Sequence, residues 1–405
     1  MNPSASKLRT NLSWLYLMGF SILVLFRFVE VTAVYLYLRN VALTRIDYWF
    51  NLASFAACGI MLLYAALARK YKWYEALAAL AALLFAARVA IISHNYYLFW
   101  TATAIVCARG VEFDDIVWAY ACVCITTLLT VVVLSRLHII AEMAIYRGDR
   151  VRFALGTRHP NYFGGHALFI ALAVAYLRRN KINLLDAAAT LFLAIFCNEV
   201  PQSRAAAVML FVLGAGMFVA FAYRRHTKGQ AGRIDKWAAI LMMLVPVACA
   251  VFSIVFTYRY DPSNPLHAQI DTLTSGRFSG GQFALNYYPN FSIFGQRALL
   301  FPEVSPAGKI SVDNFYVRCL ILFGPVVLAA SLAVLAIIDA RAIGRKSYWP
   351  VFLIAVMAAY CICEAYLLRV EFDFFVVALL ASCSTDMAGV YIPKKIGRAH
   401  QEPAL

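Results

Sequence analysis

The sequence predicts an all-α polytopic membrane protein, and three observations predict it. Of 405 residues, 63% are hydrophobic and only 14% charged, with a mean hydropathy of +0.72. A water-soluble domain is nearer half apolar and a quarter charged. The apolar residues gather into runs of about 20, the length a helix needs to cross a bilayer. Short basic joins separate them, such as Arg69-Lys70-Tyr71-Lys72, Arg178-Arg179-Asn180-Lys181 and Arg224-Arg225-His226. The net charge of +15 would point to nucleic acid in a soluble domain. Here the charges are scattered between apolar runs, so the expected surroundings are membrane lipid and not nucleic acid.

Taken in order, spans fall at 12–38, 46–68, 74–93, 96–108, 116–138, 162–177, 182–197, 205–223, 237–256, 315–338, 349–367 and 373–392. The first is too long for a signal-peptide core and lacks a small-x-small cleavage site, so it reads as a retained span. The fourth is short, and its loss would invert the topology on one side of it. About twelve spans leave room for a single integral-membrane domain over 1–405 and for no large soluble one. The ten cysteines lie mostly in apolar runs, without CxxC or metal-ligand spacing, and read as small buried residues.

The positive-inside rule sets the orientation. With both termini cytoplasmic, 20 of the 36 Lys and Arg fall on the inner side, the two types freely mixed. The other 16 lie within spans or on the outer side, and Lys309 is the single lysine among them. Arginine's planar fork binds phosphate or carboxylate through two parallel hydrogen bonds, so this bias points to an anionic ligand. Snorkelling at helix ends would give a similar pattern without one.

Two outer segments are longer than connectors need to be. The basic segment 139–161 carries Arg147, Arg150, Arg152, Arg158 and His159. The loop 257–314 is dense in aromatics, which argues for a folded outer cap with short helices such as Gly280–Tyr287.

Three motifs stand at these outer ends. In Gly156-Thr-Arg-His-Pro-Asn-Tyr-Phe-Gly-Gly-His166, Pro160 discourages helix before it, and Asn161 is a natural N-cap for the span that follows. That helix N-terminus favours an anion, with Arg158 and His159 beside it. His166 lies inside the span and reads as a core histidine. In Asn198-Glu-Val-Pro-Gln-Ser-Arg204, Glu199 and Arg204 make either an interfacial pair or, ahead of Ala205-Ala206-Ala207, an arginine with room for a ligand. The third runs through Ser275-Gly276-Arg277-Phe278, Ile293-Phe294-Gly295-Gln296 and Ser311-Val312-Asp313-Asn314-Phe315-Tyr316. A cap would explain one of Asp313 and Asn314; with Arg277 they form a polar cluster. Elsewhere Arg27 and Glu30 share a helix face and pair, while Arg88, Glu364 and Asp386 are charges within spans. Glu364 is placed to line an outer cavity.

In this order, Pro-Asn-x-x-Gly, Ser-Arg, Ser-Gly-Arg, Phe-Gly and Asp-Asn-x-Tyr…Phe-Gly resemble the bacterial polysaccharide repeat-unit polymerases of the Wzy type, relatives of the O-antigen ligases. The resemblance covers roughly residues 150–330 by motif and the whole chain by topology. It implies a GT-C-like glycosyltransferase at the outer face of the bacterial plasma membrane. The enzyme would polymerise polyprenyl-diphosphate-linked oligosaccharide repeat units and release polyprenyl diphosphate. Arg158, Arg204 and Arg277 would hold the diphosphate, with Arg147 and Arg150 in an outer ring. Asn161 and Asn314 would contact substrate, and Tyr287, Tyr288 and Tyr316 could stack on sugars. His159, Asp313 and Glu199 are the candidate bases. No cofactor is expected, nor a metal site, since arginine can do what a divalent cation does elsewhere. The implied partners are the lipid-linked donor and acceptor, a chain-length regulator and a flippase. An O-antigen ligase is the sister reading, although ligases often carry His-Asn where this chain has Asp313-Asn314. A transporter of lipid-linked sugars is the alternative of another class. It would call for internal repeats and a polar path through the bilayer, whereas the polar groups here gather at one face.

Overall fold

The computed structural model describes residues 12–41, 45–147, 150–227, 233–300 and 312–383. In chain order the elements are α1 (Ser13–Glu30), α2 (Ala33–Val41), α3 (Ile46–Ala68), α4 (Trp73–Ser93), α5 (Tyr97–Cys107) and α6 (Phe113–Arg136). A hairpin of β1 (Ala144–Arg147) and β2 (Arg150–Phe153) follows, then α7 (Pro160–Leu177), α8 (Leu184–Glu199), α9 (Arg204–Thr227), α10 (Arg233–Met243) and α11 (Val245–Tyr258). Next come α12 (Pro265–Leu273), α13 (Arg277–Tyr287), α14 (Phe315–Leu322), α15 (Pro325–Gly344), α16 (Trp349–Tyr360) and a 3₁₀ turn at Phe375–Leu379.

Among the described residues, seven helical stretches are long and apolar enough to cross a membrane: α1, α3, α4, α6, α9, α15 and Asp235–Tyr258 through α10 and α11. The chain is therefore an all-helical polytopic membrane protein in outline. The β1–β2 hairpin, with Ala144 opposite Phe153 and Arg147 opposite Arg150, departs from a purely helical reading. Helices α5 and α16 have 11 and 12 residues, so at 1.5 Å per residue each spans only about half of a bilayer core.

Several expected spans differ: 96–108, 162–177, 182–197 and 349–367 have no counterpart among these seven, and the helix expected over 349–367 ends at Tyr360. The first expected span breaks at Val31-Thr32, where the loop before α7 is stitched in: Ala33 N donates to Gly156 O (2.8 Å) and Arg158 N to Val31 O (2.9 Å). The tenth breaks at Gly324, whose φ of +88° and Cβ position, 2.1 Å from Ser292 O, suit glycine alone. The cap loop is thus seated against this break, and Gln296 N donates to Leu322 O at 3.1 Å. The twelfth is the larger correction. Instead of a helix from residue 373, the chain after Tyr360 is a buried, mostly non-helical run with one short 3₁₀ turn. Arg369, Glu371 and Asp373 alternate with apolar residues there, a two-residue period that no lipid-facing helix would carry. Non-helical backbone is stable at membrane depth only when protein satisfies it, and protein does so here. Thr101 Oγ1 donates to Leu368 O (2.7 Å), Tyr120 OH to Glu371 O (3.0 Å), and Phe113 N to Ser382 O (2.9 Å). Residues 384–392 of that span, with Asp386, lie outside the described residues.

The core gathers around α7, the most buried long helix. His166 is fully buried and stacks between Phe28 of α1 (3.5 Å) and Phe372 (4.2 Å), with Tyr366 stacked on Phe372 (3.9 Å). This ring column ties the first helix, α7 and the late non-helical run together. Arg27 bridges Glu30 at 2.8 Å, as the sequence spacing predicts, and its guanidinium lies 4.2 Å from the Trp100 ring. Arg88 is exposed. The ten cysteines are free, seven of them buried. The cap holds the two short helices α12 and α13. Buried Asp271 accepts from Phe278 N (2.8 Å) and Ser279 N (3.1 Å), fixing the start of α13.

Candidate active site

The first turns of four helices meet around one cavity of about 560 Å³. Helix α7 contributes His159 and Asn161, α9 contributes Arg204, α13 contributes Arg277, and Asp313 stands just before α14. The free N–H groups and positive dipole ends of such turns favour an anion. The end of α16 and the residues after it close the wall with Tyr360, Cys363 and Glu364.

Asn161 is not the cap of α7. His159 is: its Nδ1 accepts from Asn161 N at 3.1 Å, and Pro160 takes the first helical position, where its missing N–H costs nothing. The Asn161 side chain is thereby free to join a chain of polar contacts. Arg152 Nη2 donates to Asn161 Oδ1 (2.7 Å), and Asn161 Nδ2 to Glu364 Oε1 (2.7 Å). Arg277 Nη2 donates to the same Glu364 oxygen (3.0 Å), while its Nη1 pairs with Asp313. Arg152 enters because β2 docks on the α8–α9 turn: Gln202 Nε2 donates to Val151 O, and Arg152 Nε to Pro201 O, both at 3.3 Å.

The approach of α7 to the start of α9 depends on Gly164. A Cβ there would lie 2.3 Å from Ser203 Oγ and 2.5 Å from Ser203 Cβ. The glycine of the first motif is thus what lets the Ser203-Arg204 pair of the second sit against α7. Arg204 stands exposed on the cavity wall and forms no ion pair among the described residues.

Electrostatics set the state of His159. Burial first, then the neighbouring Arg152 and Arg277, push its imidazole down to about 4, so the ring is neutral near pH 7. Since Nδ1 accepts a backbone hydrogen bond, the proton sits on Nε2, and the ring offers a donor instead of a lone pair. Asp313 is the sequence-read base whose carboxylate stays on the cavity wall.

The other expected site residues lie elsewhere. Glu199 is exposed outside the cavity lining and accepts from Asn198 Nδ2 at 2.7 Å, so it does not pair with Arg204. Arg158 is directed at α1, donating to Glu30 O (3.3 Å) beside the Tyr35 ring. Arg150 is exposed on β2 and does not line the cavity, and the Arg147 side chain lies outside the described residues. Asn314 is a buried helix cap, accepting from Tyr316 N (3.0 Å) and Val317 N (3.3 Å). Tyr316 is buried with its hydroxyl on Ala358 O (2.8 Å), and Tyr288 OH accepts from Leu299 N (3.0 Å). Tyr287 does not line the cavity either.

Of the polar residues whose contacts build the site, Arg152 was not singled out from sequence, whereas Glu364 was expected to line an outer cavity and does so. Arg152 was one basic residue among several, and only the hairpin gives it direction. Glu364 had a signal, a lone acid inside an apolar run. Among the described residues, no three His, Cys, Asp or Glu side chains come together as a metal ion would need. No protein-family model, curated protein or solved structure matches the chain.

Proposed function

We propose that the protein is a membrane glycosyltransferase that polymerises polyprenyl-diphosphate-linked oligosaccharide repeat units at the outer face of the bacterial plasma membrane. The observation that carries the reading is the meeting of Arg204 from the second motif with Arg277 and Asp313 from the third, on one cavity where helix N-termini converge. The GT-C-like architecture with about twelve passages belongs to the same proposal.

In this reading the growing glycan on polyprenyl diphosphate is the donor, and a lipid-linked repeat unit is the acceptor. The acceptor hydroxyl attacks the donor's anomeric carbon, its proton passes to the Asp313 carboxylate, and the bond from that carbon to the diphosphate oxygen breaks. The leaving diphosphate gathers negative charge, and preorganised cations stabilise it most where water is scarce. Arg204 and Arg277 fill that role, with Arg152 behind Asn161. His159, neutral and protonated on Nε2, donates a hydrogen bond without adding charge. Carboxylate, guanidinium and imidazole together supply base, electrostatic clamp and donor, so the chemistry proposed is metal-independent.

The test uses purified protein with a polyprenyl-diphosphate repeat unit, products resolved by gel. A ladder is expected. Addition of a single glycan to a lipid A core would replace the reading with a ligase, and unchanged substrate moved across vesicles would replace it with a transporter. Arg204→Lys keeps the charge and loses the fork, so ladder formation should fall at least tenfold, about 1.4 kcal/mol of transition-state stabilisation. Equal rates would remove Arg204 from the diphosphate. Activity should also persist in excess chelator; loss that Mg²⁺ or Mn²⁺ restores would make the reaction metal-dependent.

A further inference from the structure

We propose that Asp313 is a displaceable counter-ion, which yields Arg277 to the incoming diphosphate and so becomes available as a base only with donor bound. The catalytic half of this rests on the glycosyl-transfer reading; the exchange of partners does not.

Arg277 shares its guanidinium between two carboxylates, with Nη1 on Asp313 and Nη2 on Glu364 at 3.0 Å. An anion that claims this arginine must take the place of one of them, and the two are not equal. The Glu364 side chain is 8% exposed and also accepts from Asn161 Nδ2 at 2.7 Å, an amide that Arg152 holds in turn. Releasing it would leave a buried carboxylate short of its cation, a heavily penalised arrangement. The Asp313 side chain is 27% exposed, so water can take over the freed carboxylate. A diphosphate brings more charge and paired oxygens matched to the guanidinium fork. Arg204, on the same wall and without an ion pair among the described residues, adds attraction for it.

The steps then follow in a fixed order. The diphosphate binds Arg204 and Arg277, and Asp313 gives up its pairing with Arg277. The acceptor hydroxyl gives its proton to Asp313 as the new glycosidic bond forms, and the diphosphate leaves with the bonding electron pair. Arg277 returns to Asp313 once that carboxylate has lost its proton to water, which helps expel the product. An acceptor arriving before the donor meets an Asp313 already engaged by Arg277, so unproductive proton transfer to it is suppressed.

The test is calorimetric titration of inorganic pyrophosphate into the full chain in phosphatidylcholine nanodiscs. Asp313→Asn removes the competing charge and should tighten pyrophosphate binding about fivefold. In an Arg277→Gln background the same change should gain nothing, because the two residues act through one contact. A gain that persists in that background would reflect only the loss of a negative charge and would overturn the exchange. So would weaker or unchanged binding by a folded Asp313→Asn protein, or a wild-type protein that does not bind pyrophosphate. If Asp313→Asn unfolds, Asp313→Ser reads the same quantity. Binding that follows the expected pattern while the wild type makes no ladder would sustain the exchange and sink the polymerase reading alone.

Discussion

Glu364→Ala is expected to destabilise the protein by about 3–5 kcal/mol, the usual loss when one member of a buried ion pair is removed. Glu364 accepts from Asn161 Nδ2 (2.7 Å) and Arg277 Nη2 (3.0 Å), joining α7 to the cap helix α13 across the cavity. Alanine strands a guanidinium that is 16% exposed and an amide whose Nδ2 has no other acceptor among the described residues. The measurement is the unfolding midpoint of the detergent-solubilised protein, alongside its ladder activity. Glu364→Gln keeps the shape and an acceptor oxygen, so it should recover part of the stability. A wild-type midpoint for the alanine variant would mean that the cap is held to the bundle by other contacts.

Gly164→Ala is expected to separate stability from activity. The new methyl meets Ser203 at 2.3–2.5 Å and Ala206 Cβ at 3.0 Å, so α7 and the start of α9 must part. Overpacking of this kind costs about 1–3 kcal/mol, which a protein of this size can survive folded. The displacement falls on the residue beside Arg204, and a misplacement of about 1 Å in a reacting group can cost about a hundredfold in rate. Under the proposed glycosyl-transfer reading, a folded Gly164→Ala protein should therefore extend glycans about a hundred times more slowly. Activity within a few-fold of wild type would show that the contact between α7 and α9 does not position Arg204.

Much of this arrangement was legible in the sequence because it is periodic or punctuated. Apolar runs marked the long helices, and Arg27 and Glu30 paired as their spacing predicts. Pro160, Arg204 and Asp313 stood at expected helix starts, whereas the cap helix expected from Gly280 begins at Arg277, and residues at these starts line the cavity. What stayed hidden depends on contacts distant along the chain. Helical reading of 373–383 failed because hydropathy does not distinguish lipid-facing segments from those buried in protein, although the alternation Arg369, Glu371, Asp373 carried that information. Asn314 and Tyr316 looked like site residues since they adjoin Asp313, yet a capped helix start turns its cap and its neighbours inward. Arg152 depended on a two-stranded hairpin docking on the α8–α9 turn, a contact with no local signature.

The non-helical run after α16 also fixes the order in which the molecule can be assembled. Its hydrogen bonds reach back 267 residues to Thr101 and 251 residues to Tyr120, among the most distant pairings in the chain. A segment bearing Arg369, Glu371 and Asp373 gains nothing from lipid and must be received by helices already standing together. Contacts of such separation form late. Glu364 arrives with this segment, and with it the brace that holds Arg277 and Asn161 in place. Completion of the bundle and arming of the cavity are therefore one event, so that a half-made chain in the membrane carries arginines but no working site.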